Sequence, residues 1–340
     1  MNIFNSSDFL FDKAMFITFI NTFEIQFNPM NFKLDVKLSS PNKKLNFSDN
    51  FFFIGSCFAE HISDKFSIHY LNSFLNPNGI VYNPITIAEQ LLNGIKLKKY
   101  TKEDIFFHDD QWHHFDFHGS FSSNHKDSFL DIINQRVYSC SENIKQADVL
   151  FITFGSAFVY KHEEKIVSNC HKLPGYLFKK APLNKDEIVT SYLSLIHELN
   201  QINPNLQVVF SISPVRYIRD GIIENNLSKS ILIQSVHEII SRCLNCQYFP
   251  AYEIITDELR DYRFFKEDLI HPNEIAINYV WEKLHQWMDE ETQDFLNDVF
   301  KYNQFKNHRL INSAKINQHR HEVELKKKIL LQKYPAIKLK

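Results

Sequence analysis

The chain has 340 residues, 44% of them hydrophobic and 23% charged, with 38 Lys plus Arg against 40 Asp plus Glu. That length supports one large domain or two modest ones with a sizeable core, and the composition excludes wholesale disorder, collagen-like repeats and long low-complexity architectures. A formal net charge of -2 provides no broad positive field for phosphate, so nucleic acid is not an expected partner. The 32 Phe accompany many Asn, Ile, Lys and Tyr, all with AT-rich codons, which reads as genome bias. The five cysteines, Cys57, Cys140, Cys170, Cys243 and Cys246, are odd in number and irregularly spaced. They do not read as a secreted disulfide framework, and a cytoplasmic location is expected. The lone C-x-x-C at 243–246 reads as two partly buried thiols late in a helix. No run of about 20 apolar residues is present, so no transmembrane segment is expected.

In chain order, residues 1–29 read as an N-terminal extension, with Met30 the expected natural start. Residues 51–54 (FFFI) form a buried-strand candidate ending at Gly55-Ser56, followed by a helix over 58–70. Residues 79–82 (GIVY) read as a second short strand, and Pro84 opens a helix to about residue 92. Strands are expected at 149–154 (VLFITF) and 207–212 (QVVFSI), with a helix over 186–200 between them. A helix over 227–243, a short strand near 248–249 and an amphipathic helix over 273–288 complete the pattern. The alternation predicts an α/β domain over 30–290 with right-handed parallel crossovers. Residues 301–340 hold eleven Lys or Arg against two Glu. The segment 291–340 therefore reads as a basic, loosely packed helical tail.

Ligands in such sheets bind beyond the carboxyl ends of the strands, which selects Ser56, the turn near Gly79, Gly155-Ser156 and residues 213–219. Ser56 sits between a strand and a helix, where backbone N–H groups at the helix start can face a developing oxyanion. Far downstream, Asp268-Leu269-Ile270-His271 lets one short loop present a carboxylate to orient an imidazole and an imidazole to take the serine proton. Cys57 is a rival nucleophile as a thiolate, but neighbouring residues leaving a strand point differently, and it is expected to pack beneath the helix. Arg216 and Arg219 suit bidentate binding of a carboxylate or phosphate, or ion pairing with Asp220 or Glu224. His113, His114, Asp116 and His118 form a dense cluster without a second ligand group. His114, His118 and His171 read as a polar wall of the substrate pocket rather than a metal site.

Taken together, Ser56, Asp268 and His271 in this order resemble the SGNH (GDSL-like) hydrolases. The string GSCFA at 55–59 is the namesake motif of the GSCFA family, bacterial proteins related to them, and the resemblance continues through NPNGIVYNP (76–84), WHHFDFHGSFS (112–122), TFGSAFVY (153–160), NCHK (169–172), SPVRYIRDGIIENNLSK (213–229) and YFPAYEIITDELRDYRFFKEDLIH (248–271). It implies a flavodoxin-like, three-layer α/β/α fold with a central parallel sheet. It also implies a serine esterase or acyl-transfer enzyme acting on a small ester, an O-acylated carbohydrate being the substrate class the wider superfamily suggests, with Ser56 as nucleophile and no cofactor or metal. Gly79 is the implied backbone donor to the oxyanion. The usual G-x-N of the third block is here Gly155-Ser156-Ala157, and alanine cannot donate. Loss of one such donor costs about 100- to 1000-fold in rate, so Asn83, Ser156 or a histidine must substitute. The alternative is a binding protein that keeps the fold without efficient catalysis.

Overall fold

The computed structural model describes residues 33–308, 316–335 and 337; the expected extension over 1–29 lies outside them. The following concerns the compact unit Asp35–Lys340. Its centre is a five-stranded, all-parallel sheet of β1 (Asn50–Gly55), β2 (Asn72–Leu75), β5 (Val149–Phe154), β9 (Gln207–Ile212) and β10 (Cys246–Tyr248), in the order β2-β1-β5-β9-β10. This is the doubly wound order of flavodoxin-like sheets.

The three middle strands are near-continuous apolar runs because both sheet faces are covered. Side chains alternate between the faces with a period of two. Phe51, Phe53, Phe151 and Val209 enter one core. Phe52, Ile54, Leu150, Ile152, Phe154, Val208 and Phe210 enter the other. The first core is roofed by α1 (Cys57–Ile68), the short α6 (Ala251–Glu253), α7 (Glu274–Leu284) and α8 (Glu290–Lys306), through Phe58, Phe66, Ala251, Val280, Trp281, Phe295 and Val299. The second is covered by α2 (Pro84–Ile95), α3 (Lys126–Gln146), α4 (Lys185–Ile202) and α5 (Ile222–Arg242), through Ile87, Leu91, Ile144, Tyr192, Leu232 and Val236. The architecture is a three-layer α/β/α sandwich.

Local sequence sets the helix starts. Asn83 caps α2 by accepting from Thr86 N, with Pro84 in the first turn. Asn184 and Glu187 form a capping box on α4. Small antiparallel elements the sequence did not announce flank the sheet: the hairpin β3 (Phe106–His108) with β4 (Gln111–His113), and β7-β6-β8 (Lys165–Val167, Phe158–His162, Lys179–Pro182).

Two expectations are corrected. Residues 79–82 are not a strand; the edge strand is Asn72–Leu75. The 79–82 segment leaves the ladder: Val81 N donates to Gly55 O, and Tyr82 O accepts from Gly155 N and Ser156 N. It therefore crosses the ends of β1 and β5. Nor is the C-terminal region loosely packed. Phe295, Leu296, Val299 and Tyr302 of α8 are buried in the first core, with Leu330, Tyr334 and Ile337 from or beyond α9 (Ile316–Lys333). Lys333 and Tyr334 both donate to Asp298, at 2.7 and 3.0 Å. Among the described residues, no helix is long and apolar enough to cross a membrane, and the five cysteines are free thiols.

Candidate active site

The chain leaves β1 toward β2 on one side and later returns to β5 on the other, so the carboxyl ends of β1 and β5 open a crevice at the point where the strand order reverses. A cavity of about 420 Å³ lies there. Cys57 borders it after β1, Gly155 and Ser156 after β5, and Ser213, Val215, Arg216 and Tyr217 after β9. Tyr82, Asn83, Phe158, Tyr160 and residues 167–170 form further walls, and Ile270 and His271 close the remaining side.

His271 is held firmly. Its Nδ1 donates to Asp268 Oδ2 at 2.7 Å, while Asp268 Oδ1 accepts from Ile270 N at 2.9 Å and His271 N at 3.0 Å. These bonds hold the Asp268 carboxyl down at about 2, the His271 backbone N–H acting most strongly, then that of Ile270 and then the His271 ring. With Nδ1 carrying the proton given to Asp268, Nε2 is left as the acceptor. Arg216 locks the loop from the other side: its backbone N donates to Ile270 O at 3.3 Å and its Nη1 to Leu269 O at 3.0 Å. Its guanidinium lies 4.1 Å over the Phe265 ring. Arg216 thus braces the imidazole loop, pairing with neither Asp220 nor Glu224. Arg219 is exposed, and its Nη1 reaches Tyr160 Oη at 3.4 Å; Asp220 pairs with Lys180 instead.

The two residues after Gly55 part company. Ser56 is 1% exposed, and its hydroxyl is buried without a hydrogen-bond partner. It neither lines the cavity nor caps α1, although it stands at the N-cap position. Cys57, expected beneath the helix, lines the cavity instead. The expectation that Ser56 presents its hydroxyl to the crevice is not met. No hydrogen bond joins His271 to Ser56 or Cys57 in this structure; such bonds often tighten only once substrate is bound.

Of the remaining expected residues, Asn83 and Ser156 line the cavity and the others do not. Gly79 N donates to Asn76 O at 2.9 Å, and a Cβ on Gly79 would meet His118. Its N–H is consumed within its own turn and is not free for an oxyanion. His114 Nδ1 accepts from Asp116 N, and His171 Nε2 donates to His114 O at 2.9 Å. Burial pushes both imidazoles down, His171 to about 4. His118 Nδ1 accepts from Ser120 N. These rings brace loops; none borders the cavity. Among the described residues, no three His, Cys, Asp or Glu side chains group as metal ligands. Ser156 Oγ accepts from Phe158 N, and its backbone N donates to Tyr82 O. Asn83 Oδ1 accepts from Thr86 N, which orients the carboxamide, and its NH₂ has no partner among the described residues. Of the candidates for the missing third-block donor, Asn83 keeps a free one.

Lys229 was not singled out from sequence. It is 2% exposed, and its Nζ donates to Gly155 O and Ser213 O, both at 2.7 Å. It therefore ties together the turns after β5 and β9 beneath the cavity. A signal was present: Asn225, Lys229, Leu232 and Val236 share the buried stripe of α5. Burial pushes the ammonium down to about 7, with Cys57 pulling it the other way. The unfolded chain keeps that proton to about pH 10.4. Between about pH 7 and 10 the unfolded state therefore binds more protons, and raising the pH favours the fold. Lys229→Met should be destabilised, because two buried carbonyls lose their donor at about 1–3 kcal/mol each. The stability gap between wild type and variant should widen as pH rises through this window. Urea midpoints at intervals of pH check this; a gap that stays constant contradicts it.

The fold and site define a doubly wound α/β protein with a carboxylate-held imidazole in the wall of a switch-point cavity. Residues 50–284 match the GSCFA family, and the chain belongs to that family. No curated protein shows significant similarity to the chain.

Proposed function

We propose that the protein transfers the acyl group of a small ester, an O-acylated carbohydrate being the favoured substrate class, to water or to a second acceptor. The observation that carries this reading is His271, which stands in the cavity wall, is held against Asp268 by three hydrogen bonds, and leaves Nε2 without a partner among the described residues. In this reading Nε2 takes the proton of a nucleophile supplied by the turn after β1 and returns it to the leaving oxygen. The N–H groups opening α1 and the Asn83 carboxamide are the donors available to the oxyanion. The aromatic rings of Tyr82, Phe158, Tyr160 and Tyr217 offer flat apolar faces suited to a sugar ring. The resemblance to SGNH hydrolases supports the same chemistry.

A binding protein is the second reading, favoured by the absence of any hydrogen bond from His271 to Ser56 or Cys57 and by the engaged Gly79 N–H. Turnover of p-nitrophenyl acetate and of O-acetylated mono- and oligosaccharides by the full chain separates the two. Saturable acid release is expected, reduced about 10²- to 10⁴-fold in Asp268→Asn, where the ring loses its tautomer control. Sugar binding without acid release from any ester supports the second reading instead.

A further inference from the structure

We infer that the nucleophile of this site is the thiol of Cys57 rather than the hydroxyl of Ser56, an inference that rests on the acyl-transfer reading above. A nucleophile must meet the acyl carbon at about 3–3.5 Å, and so must border the space that substrate fills. Cys57 borders the cavity together with His271 and Asn83. Ser56 does not, and its Oγ has no contact with solvent.

Backbone geometry explains the division. Gly55 takes φ +133°, Ser56 stays extended at φ −69° and ψ 170°, and Cys57 is the first residue of α1. Ser56 is thereby turned inward over the end of β1, where its N–H donates to Thr153 O at 3.2 Å. The sulfur is set at the helix N-terminus, where the N–H groups of Cys57 and Phe58 favour a thiolate, as does the nearby Lys229. Burial and the Glu60 carboxylate outweigh them and push the thiol up. The resting sulfur is therefore protonated and needs a base, which the unengaged Nε2 of His271 provides.

The reaction balances without a further reagent. The Cys57 sulfur bonds to the acyl carbon as its proton passes to His271 Nε2. The C–O bond to the leaving group then breaks, and the alkoxide takes that proton, leaving a thioester on Cys57. Water, deprotonated by His271, adds to the thioester, and the acid departs as the thiolate recovers its proton.

The test treats the full chain with p-nitrophenyl acetate, quenches in acid, and maps the acetyl group by mass spectrometry with and without neutral hydroxylamine, which cleaves thioesters but spares oxygen esters. The acetyl group is expected on Cys57, sensitive to hydroxylamine, and retained in Ser56→Ala. It should be absent in Cys57→Ala and formed about 100-fold more slowly, or worse, in His271→Ala. Cys57→Ser, close in size, guards against a folding defect in Cys57→Ala; with its circular dichroism unchanged, it should lose the thioester. A hydroxylamine-resistant acetyl group on Ser56 that survives Cys57→Ala overturns the assignment while leaving acyl transfer standing. No acetyl group on either residue in wild type, or acetylation of Cys57 that is indifferent to His271, overturns the acyl-transfer reading itself.

Discussion

Replacing His271 with alanine should lower kcat/KM for ester turnover about 10⁴-fold or more, because the one side chain serves as base for the nucleophile and as acid for the leaving group. Stability should change little: the ring is 38% exposed and packs no core, and surface substitutions usually stay within about 0.5 kcal/mol. The second arm of the experiment is Cys57→Ala combined with His271→Ala. Residues that act as a unit are far from additive, so the pair should lose no more than the worse single variant. Multiplied losses would mean that thiol and imidazole act separately. Asp268 adds a pH condition. Its carboxyl is depressed to about 2, so its orienting charge is complete above the ordinary carboxylate range and is lost only as the pH falls toward 2. Acidification from about pH 8 to 5 should thus leave the Asp268 charge, and with it the tautomer control of the ring, in place.

What the sequence made legible follows from how local each signal is. β1, β5 and β9 are near-continuous apolar runs, and a doubly covered sheet demands such runs. β2 escapes a sequence reading because NSFL is a short edge strand with no buried residue, whereas GIVY carries Val81, which is buried in the second core from a segment outside the ladder. The Asp268–His271 pair was legible because both residues sit in one four-residue turn. The choice between Ser56 and Cys57 was not, because it depends on the backbone at Gly55. Strand alternation continued past that glycine favours Ser56, but the positive φ resets which side chain meets the crevice. The histidine cluster misled for a related reason. β4 ends at His113, so His114, Asp116 and His118 lie on a loop rather than along one face of a strand. Their rings and carboxylate serve the loop: Asp116 accepts from Tyr100 Oη at 2.7 Å.

That dependence on one backbone position makes Gly55→Ala the substitution with the largest expected structural effect. An added Cβ would sit 2.1 Å from the carbonyl oxygen of Thr153, a backbone atom on the neighbouring strand that no rotamer can move aside. The φ of +133° is also one that alanine rarely adopts. Relief requires β1 and β5 to separate at their carboxyl ends. Three buried connections converge there: Gly55 N to Asn76 Oδ1 at 2.8 Å, Ser56 N to Thr153 O at 3.2 Å and Val81 N to Gly55 O at 3.1 Å. Steric conflict together with loss of these bonds places the variant in the exceptional class of about 4 kcal/mol or more. Gly119→Ala and Gly175→Ala serve as controls, since among the described residues no atom beyond their chain neighbours and own helical turn lies within 4 Å of either added methyl; both should stay within about 0.5 kcal/mol. Urea denaturation of the three variants gives the comparison. Any folded fraction of Gly55→Ala should also have lost most of its turnover, because a displacement of about 1 Å between reacting groups costs about 100-fold. A variant as stable and as active as the controls would mean that the Gly55 conformation does not govern the site, and the orientation argument for Cys57 would fall with it.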